Sequence, residues 1–217
     1  MSPSYYIWEV MIIMKILLFN GSPKPQGCTY TALCEVKKGI EEMGVEAEIF
    51  HVTQAAGCMG CGYCGKEGKC VQNDCLNDAL ALLDSADGFI FGSPVHYAGA
   101  SGNITGFMDR LFMAGGAKMA FKPAAAVVSC RRGGASAAFD QLNKYFTINN
   151  MPVVSAQYWN MVHGNTPSEV VQDEEGMQNM RTLGRNIAWL VKCIELGKNN
   201  GAQHPQPEPK IKTNYIR

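Results

Sequence analysis

The sequence predicts one α/β domain whose five-stranded parallel sheet is covered by helices on both faces. Short apolar runs alternate along the chain with longer segments that carry apolar residues at helical spacing, and this alternation is typical of a parallel sheet. The 217 residues are 47% hydrophobic and 18% charged, a mixture that can bury a sizeable core. We find neither an internal repeat nor a linker, so residues 1–217 are predicted to form a single domain.

Five short segments have the apolar character of strands that are buried on both faces. They are residues 12–20, 47–52, 88–91, 124–129 and 153–159. The first is almost continuously apolar and ends in the turn Gly21-Ser22-Pro23, and Gly92-Ser93-Pro94 is expected to end the third.

Helices are predicted between and after these strands from the 3.6-residue spacing of apolar side chains. The first begins near Thr29 and is closed by Gly44. The others are expected at residues 76–85, 104–112, 139–146 and 174–196. The Cys-rich residues 57–75 are interpreted as an insertion after the second strand, and the polar residues 199–217 as a loose or docking arm.

The N-terminal residues carry no sign of an export signal, because Lys15 is the first basic residue and no charged segment precedes the apolar stretch 12–19. That stretch is also too short to span a bilayer. We therefore expect a cytoplasmic protein with no membrane partner. Met14 directly precedes Lys15, so residues 1–10 are expected to be an extension without a role in the fold.

Charge and cysteine content narrow the function classes further. Lysine plus arginine and aspartate plus glutamate each number 19, and this lack of a basic surplus predicts no nucleic-acid partner. The chain also lacks an acidic surplus, which disfavours an electron carrier that docks on its partners through negative charge. Nine cysteines in a chain without an export signal favour thiol or metal chemistry over a disulfide framework.

The loop between the first strand and the first helix suits a phosphate. A helix N-terminus offers unpaired backbone N–H groups and a positive dipole end. Ser22 and Thr29 add hydroxyl donors, and Gly27 allows close approach of the backbone. The loop has neither a Walker pattern nor a G-x-G-x-x-G pattern, which disfavours a nucleoside triphosphate or a dinucleotide. An ordinary strand-to-helix turn is the alternative interpretation.

Three loops together resemble a known family. They are Asn20-Gly21-Ser22-Pro23-Lys24 with Gly27-Cys28-Thr29, then Gly92-Ser93-Pro94-Val95-His96-Tyr97 with Ser101-Gly102, then Asp109-Arg110. In this order they resemble the NADPH-dependent FMN reductases of the flavodoxin-like superfamily, over about residues 15–196. The resemblance implies a flavodoxin-like three-layer sandwich that binds FMN.

The resemblance also implies which residues contact the flavin. Those expected around the FMN phosphate are Ser22, Lys24, Cys28 and Thr29, where Cys28 replaces the usual asparagine. Those expected along the isoalloxazine ring are Pro94, Val95, His96 and Tyr97, with Arg131, Gly133 and Gly134 closing the far side. His163-Gly164 could also reach this cavity. Asp109-Arg110 is expected to fix a loop by an ion pair.

The sharpest local pattern is Cys58-x2-Cys61-x2-Cys64-x5-Cys70, a glycine-rich loop with four thiols within 13 residues. Cysteine sets at such spacing hold [4Fe–4S] clusters. The spacing also resembles the compact motif of the iron-sulfur flavoproteins, a branch of the same superfamily. Reduced structural or redox thiols, a zinc site and a disulfide remain alternatives.

These expectations predict an oxidoreductase in which NAD(P)H reduces FMN and the flavin reduces a small-molecule acceptor or a ferredoxin. No Ser-His-Asp set or pair of carboxylates stands out, so no catalytic side chain is assigned and the flavin would carry the chemistry. A non-enzymatic electron carrier and a redox-sensing flavoprotein are the alternatives. The resemblance and the glycine-rich insertion further predict a homodimer or homotetramer.

Overall fold

The computed structural model describes residues 14–215 and confirms the predicted α/β class. Its strands are β1 Lys15–Asn20, β2 Glu46–His51, β3 Gly88–His96, β4 Gly99–Ala100, β5 Ala124–Cys130 and β6 Met161–His163. Five of them form a parallel sheet in the order β2-β1-β3-β5-β6. This is the flavodoxin-like doubly wound order, with its switch point between β1 and β3. The short β4 pairs antiparallel with the end of β3.

Seven helices connect or follow the strands within the described part of the chain. They are α1 Cys28–Glu42, α2 Cys64–Glu67, α3 Cys75–Leu82, α4 Gly102–Met119, α5 Ala135–Ile148, α6 Pro167–Val170 and α7 Glu174–Asn199. A 3₁₀ turn, Leu83–Ser85, extends α3. The predicted end of α1 at Gly44 is confirmed, since Gly44 has a φ of +69°, which a glycine adopts without steric cost.

Alternation along the central strands creates one apolar core on each face of the sheet. Leu17 and Phe19 of β1 pack on one face with α3, α4 and α5. Ile16 and Leu18 pack on the other face with α1 and α7. The side-chain period of two residues in a strand therefore produces the predicted three layers.

Two strand predictions are wrong at their boundaries. Gly92-Ser93-Pro94 does not end β3, because Ser93 and Pro94 continue the pairing with β5, and the Ser93 hydroxyl accepts a hydrogen bond from the Ser101 backbone N–H at 3.0 Å. The predicted fifth strand at 153–159 is also misplaced. Only Val153 makes an isolated bridge, to Ala124, and the strand itself is β6.

The reason for the second error lies in α7. The Asn186 side chain donates to the Ser155 carbonyl at 2.8 Å, and Thr182 bonds to Gln157. After Val154, whose backbone N–H still donates to Ala124 of β5, the chain is bonded to α7 at Ser155 and Gln157 and leaves the sheet until β6. The Ser155 carbonyl and the Gln157 side chain find their hydrogen-bond partners on that helix.

The ends of the chain bear on three predictions. The expected extension at residues 1–10 and the first two residues of the predicted first strand lie outside the described residues. Residues 202–215 form no helix or strand, and the His204 ring stacks on Phe121 with ring centroids 4.3 Å apart. None of the helices described between residues 14 and 215 combines the length and apolar character needed to cross a membrane.

Candidate functional site

The first loop, residues 21–27, follows β1 and is ordered by buried polar side chains. The fully buried Asn20 accepts a hydrogen bond from the Ser22 backbone N–H and donates one to the Pro25 carbonyl, at 3.2 and 3.0 Å. The Ser22 hydroxyl in turn accepts from the Lys24 backbone N–H at 3.1 Å. These bonds hold the loop against the carboxyl end of the strand, where ligands bind in sheets of this kind.

The N-terminus of α1 is free of side-chain caps. Gly27 is the capping residue, and it has no side chain to accept from the first turn. The hydroxyl of Thr29 lies instead 2.8 Å from the hydroxyl of Ser129, and both side chains are buried. The first-turn N–H groups and the positive end of the helix dipole are therefore available to an anion.

A cavity of about 200 Å³, the strand-end cavity, lies against this helix end and the carboxyl ends of β1, β3 and β5. Eight of its lining residues are among those predicted to bind the flavin: Ser22, Lys24, Cys28, Thr29, Pro94, Val95, His96 and Arg131. Pro23, Ser129, Gly164 and Asn165 also line it. The structure thus brings together four segments that are far apart in sequence.

Three predicted flavin contacts do not line the strand-end cavity. Tyr97 is fully exposed at the tip of the turn between β3 and β4, with a φ of 50°. Gly134 begins α5 with a φ of 89° and packs against Ala98 and Val95. Gly133 accepts a hydrogen bond from the Cys130 thiol at 3.1 Å. Neither glycine is among the residues that line the cavity, and their predicted role stays a prediction.

Some cavity residues were missed by sequence reasoning. Ser129 is a hydroxyl residue near the end of an otherwise apolar strand, and that polar position could have indicated it. Asn165 follows Gly164 and carried no such signal. His163 does not line the cavity, because Asp173 accepts from its backbone N–H at 2.7 Å and lies 3.5 Å from its ring nitrogen.

The electrostatics of the strand-end cavity suit an anion. Burial raises the pKa of the Cys28 thiol, and the nearby Lys24 offsets this only in part. Cys28 is therefore a neutral thiol near pH 7 and does not repel a phosphate. Lys24 and Arg131 both line the cavity and supply positive charge.

The predicted cysteine set lines a second cavity, of about 210 Å³, which we call the cysteine cavity. Cys58 and Cys61 are exposed, whereas Cys64 and Cys70 are partly buried. The loop turns through glycines with positive φ, among them Gly60 and Gly62 at 66° and 69°. Their conformation allows the sharp turns that bring the four thiols around one space.

Arg110 of α4 anchors the cysteine loop. Its side chain is only 1% exposed, and it forms a two-pronged ion pair with Asp74 at 2.6 and 2.9 Å. It also donates to the Cys70 sulfur at 3.1 and 3.3 Å and to the Ala56 carbonyl at 3.2 Å. Burial alone would raise the pKa of Asp74, but the hydrogen bonds from Arg110 and from the Leu76 backbone hold it below its usual value. The expected loop-fixing ion pair is thus made by Arg110, while Asp109 accepts a hydrogen bond from Tyr145.

Helix α4 is hydrogen-bonded to the loops that line both cavities. At its start, the Ser101 hydroxyl and the Asn103 side chain donate to the Gly21 carbonyl, and Asn103 also bonds to Val52 and Ala55. Arg110 lies seven residues further on, which is roughly 10 Å along the helix axis. One rigid helix therefore braces both the first loop and the cysteine loop.

The cysteine thiols are not arranged around a single ion. Within residues 14–215, no three Cys, His, Asp or Glu side chains converge closely enough to hold one metal ion. All nine cysteines are unpaired. The four thiols share a cavity without meeting at a common point.

Comparison with known proteins places this geometry in a family. A family model described as NADPH-dependent FMN reductase matches residues 14–166. The chain belongs to this family. An iron-sulfur flavoprotein of Methanocaldococcus jannaschii is 33% identical over 192 residues, covering 84% of this chain and all of that protein. An iron-sulfur flavoprotein of Archaeoglobus fulgidus is 28% identical over 200 residues, covering 83% of this chain and 98% of that protein.

A solved structure supports the fold. The WrbA-like flavodoxin of Agrobacterium tumefaciens superimposes with a TM-score of 0.58 at 18% identity, covering 83% of this chain and 97% of that one.

The sequence comparisons confirm the predicted membership of the NADPH-dependent FMN reductases, in the branch of the iron-sulfur flavoproteins. As a member of this family, the protein is an FMN-dependent oxidoreductase.

Proposed function

We propose that this FMN reductase family member accepts hydride from NAD(P)H and passes electrons between FMN and a [4Fe–4S] cluster bound by Cys58, Cys61, Cys64 and Cys70. The observation that carries the proposal is the gathering of these four thiols around one cavity. The same helix that braces their loop braces the first loop of the strand-end cavity. When bound, the flavin supplies hydride acceptance and exchanges electrons one or two at a time.

The strand-end cavity fits the phosphate end of FMN. The uncapped first turn of α1 offers backbone donors, and Ser22 and Lys24 add a hydroxyl and a positive charge. Pro94, Val95 and His96 line a further part of the cavity, along which the ring system would lie. Arg131 also lines the cavity and adds a second positive charge. These residues bind and orient the flavin, and no side chain is needed as an acid or base.

The cysteine cavity fits a cluster better than a single ion. In a cluster each thiolate binds a different iron, so the four sulfurs surround a body larger than one ion. A zinc ion requires all four sulfurs within about 2.3 Å of one point, which is a closer convergence than a cluster requires. Two sulfurs also have N–H donors, since the Gly60 backbone lies 3.5 Å from Cys58 and Arg110 bonds to Cys70. Donors of this kind stabilise cluster thiolates.

The surroundings of the cysteine cavity support the association of several copies of this chain. Met59, Val71 and Met113 are exposed beside the thiols, and they would leave an apolar rim uncovered in a monomer. We therefore propose a homodimer or homotetramer built from the single domain of residues 1–217. The electron acceptor would be a small molecule or a ferredoxin. Nine unpaired cysteines support a location in the reducing cytoplasm.

A single variant tests the proposed division of labour. Cys61→Ser should abolish the broad visible absorbance of a cluster and electron transfer to a one-electron acceptor, because one iron loses its thiolate. It should retain FMN and its reduction by NAD(P)H, since the first loop is a separate element. Anaerobic spectra and stopped-flow reduction of the flavin measure both.

Cys193→Ser is the matched control, because Cys193 is an exposed cysteine on α7 and lies outside both cavities. It should behave as the wild type. Unchanged absorbance and unchanged one-electron transfer in Cys61→Ser would contradict the cluster. A wild-type flavin that NADH and NADPH both fail to reduce would contradict the electron donor.

A further inference from the structure

We propose that Arg110 is a positioning residue that raises the reduction potential of the cluster through its hydrogen bonds to Cys70. The inference rests on the proposed function, because it concerns the group that the four cysteines would hold. It adds a residue from outside the Cys58–Cys70 motif. The contacts of Arg110, its burial and the charges around it carry the argument.

Every nitrogen of the Arg110 guanidinium donates a hydrogen bond. Nη1 donates to Asp74 and to the Ala56 carbonyl, Nη2 to Asp74 and Cys70, and Nε to Cys70. A planar guanidinium held at all three nitrogens has a fixed orientation. The ion pair with Asp74 therefore fixes the direction in which Nε and Nη2 donate to the Cys70 sulfur.

The charges around Arg110 indicate the role of its two N–H donors to Cys70. A buried guanidinium is costly unless it is paired, and Asp74 supplies one compensating carboxylate. A neutral thiol is a weak hydrogen-bond acceptor, whereas a metal-bound thiolate carries negative charge and accepts strongly. The two N–H donors that face the Cys70 sulfur therefore form strong hydrogen bonds only when this sulfur is a thiolate ligand of the cluster.

The effect on the cluster has a definite sign. Reduction adds one electron to the cluster and so increases the negative charge on its sulfurs. A positive donor beside one sulfur stabilises the reduced form more than the oxidised form. Removing this donor should therefore make the potential more negative.

The test is a spectroelectrochemical titration of the anaerobically purified full-length holoprotein, with dithionite as the reductant. Arg110→Gln should shift the one-electron equilibrium of the cluster toward the oxidised form by about tenfold, or 59 mV to more negative potential. Arg110→Lys keeps the positive charge but lacks the planar guanidinium that donates twice to Cys70. The shift of its cluster potential should therefore be smaller and of the same sign. FMN content should not change in either variant.

Lys118→Gln is the matched control, because Lys118 lies on the same helix and its ion pair with Asp84 is exposed. It removes the same charge and should leave the potential unchanged. A cluster potential in Arg110→Gln equal to that of the wild type would overturn the inference. If Arg110→Gln fails to assemble a cluster, a wild-type potential in Arg110→Lys overturns it instead. A wild type without iron would refute the proposed cluster itself, and the two failures are thus distinguishable.

Discussion

At the scale of single residues, Ser22 shows how one hydroxyl shapes a binding loop. It accepts a hydrogen bond from the Lys24 backbone and lines the strand-end cavity. Ser22→Ala should weaken FMN binding by about 1–2 kcal/mol, or about 5- to 30-fold in the dissociation constant, because a loop bond and a phosphate donor are both lost. Flavin fluorescence titration of the apoprotein measures this affinity.

Ser85→Ala is the control for this change. The Ser85 hydroxyl is exposed and bonds to the Leu82 carbonyl, and neither cavity includes it. Its FMN affinity should equal that of the wild type. If Ser22→Ala also binds FMN with wild-type affinity, the first loop is an ordinary turn and the phosphate lies elsewhere.

Where the pattern is local, the sequence indicated residues that the structure brings to the strand-end cavity, and their binding of the flavin stays a prediction. Ser22, Lys24 and Thr29 lie next to a strand end and a helix start, and a short stretch of sequence contains the whole pattern. The partnership of Arg110 with Asp74 and Cys70 could not be predicted in this way, because 36 and 40 residues separate the partners. Only the packing of α4 against the cysteine loop brings them together. The pairing of Thr29 with Ser129 spans 100 residues and was missed for the same reason.

At the scale of elements, α1 and α7 are joined by a buried carboxylate. Glu35 is paired with Arg181 of α7 at 2.5 Å and with Lys38 at 2.8 Å. Burial alone would raise the pKa of Glu35, but the two cations outweigh it and hold the pKa below its ordinary value of 4.5. The folded state thus prefers the charged carboxylate more than the unfolded chain does.

This preference predicts a pH dependence of stability. A lowered folded pKa contributes stability that is complete above pH 4.5 and is lost as the pH falls through the folded value. Glu35→Gln should lower the free energy of unfolding by about 1.5–3 kcal/mol at pH 7 and flatten its fall in acid. Urea denaturation at pH 7 and at intervals below pH 4.5 measures both effects.

The control for this pair is Glu42→Gln on the same helix. Glu42 also bonds to α7, through Arg185, but both side chains are half exposed. Its loss should cost less than about 1 kcal/mol at pH 7. Equal losses in the two variants would show that burial does not strengthen the Glu35 pair.

The prediction of elements followed the strength of the periodic signal. Helices α1, α4, α5 and α7 each carry a long apolar stripe, and the sequence predicted all of them. The strand β6 has three residues, too few for a periodic pattern. Of the apolar residues at 153–159 only Val154 is buried, whereas Val153, Tyr158 and Trp159 are exposed. The middle of this segment is bonded along α7, so its apolar character did not indicate a strand.

At the scale of the whole molecule, the exposed apolar rim of the cysteine cavity predicts self-association. The wild type should sediment as a dimer or tetramer across the micromolar range. Met113→Glu should shift it toward the monomer, because a charge in an apolar contact loses its hydration. A monomeric wild type by analytical ultracentrifugation would contradict the proposed assembly.

We propose that one chain holds a flavin and an iron-sulfur cluster on two loops braced by α4. The most direct test is the analysis of FMN, iron and acid-labile sulfide in full-length protein purified without oxygen. We expect about one FMN with about four iron and four sulfide per chain. FMN without iron or sulfide, together with four reduced cysteines in the loop, would contradict it.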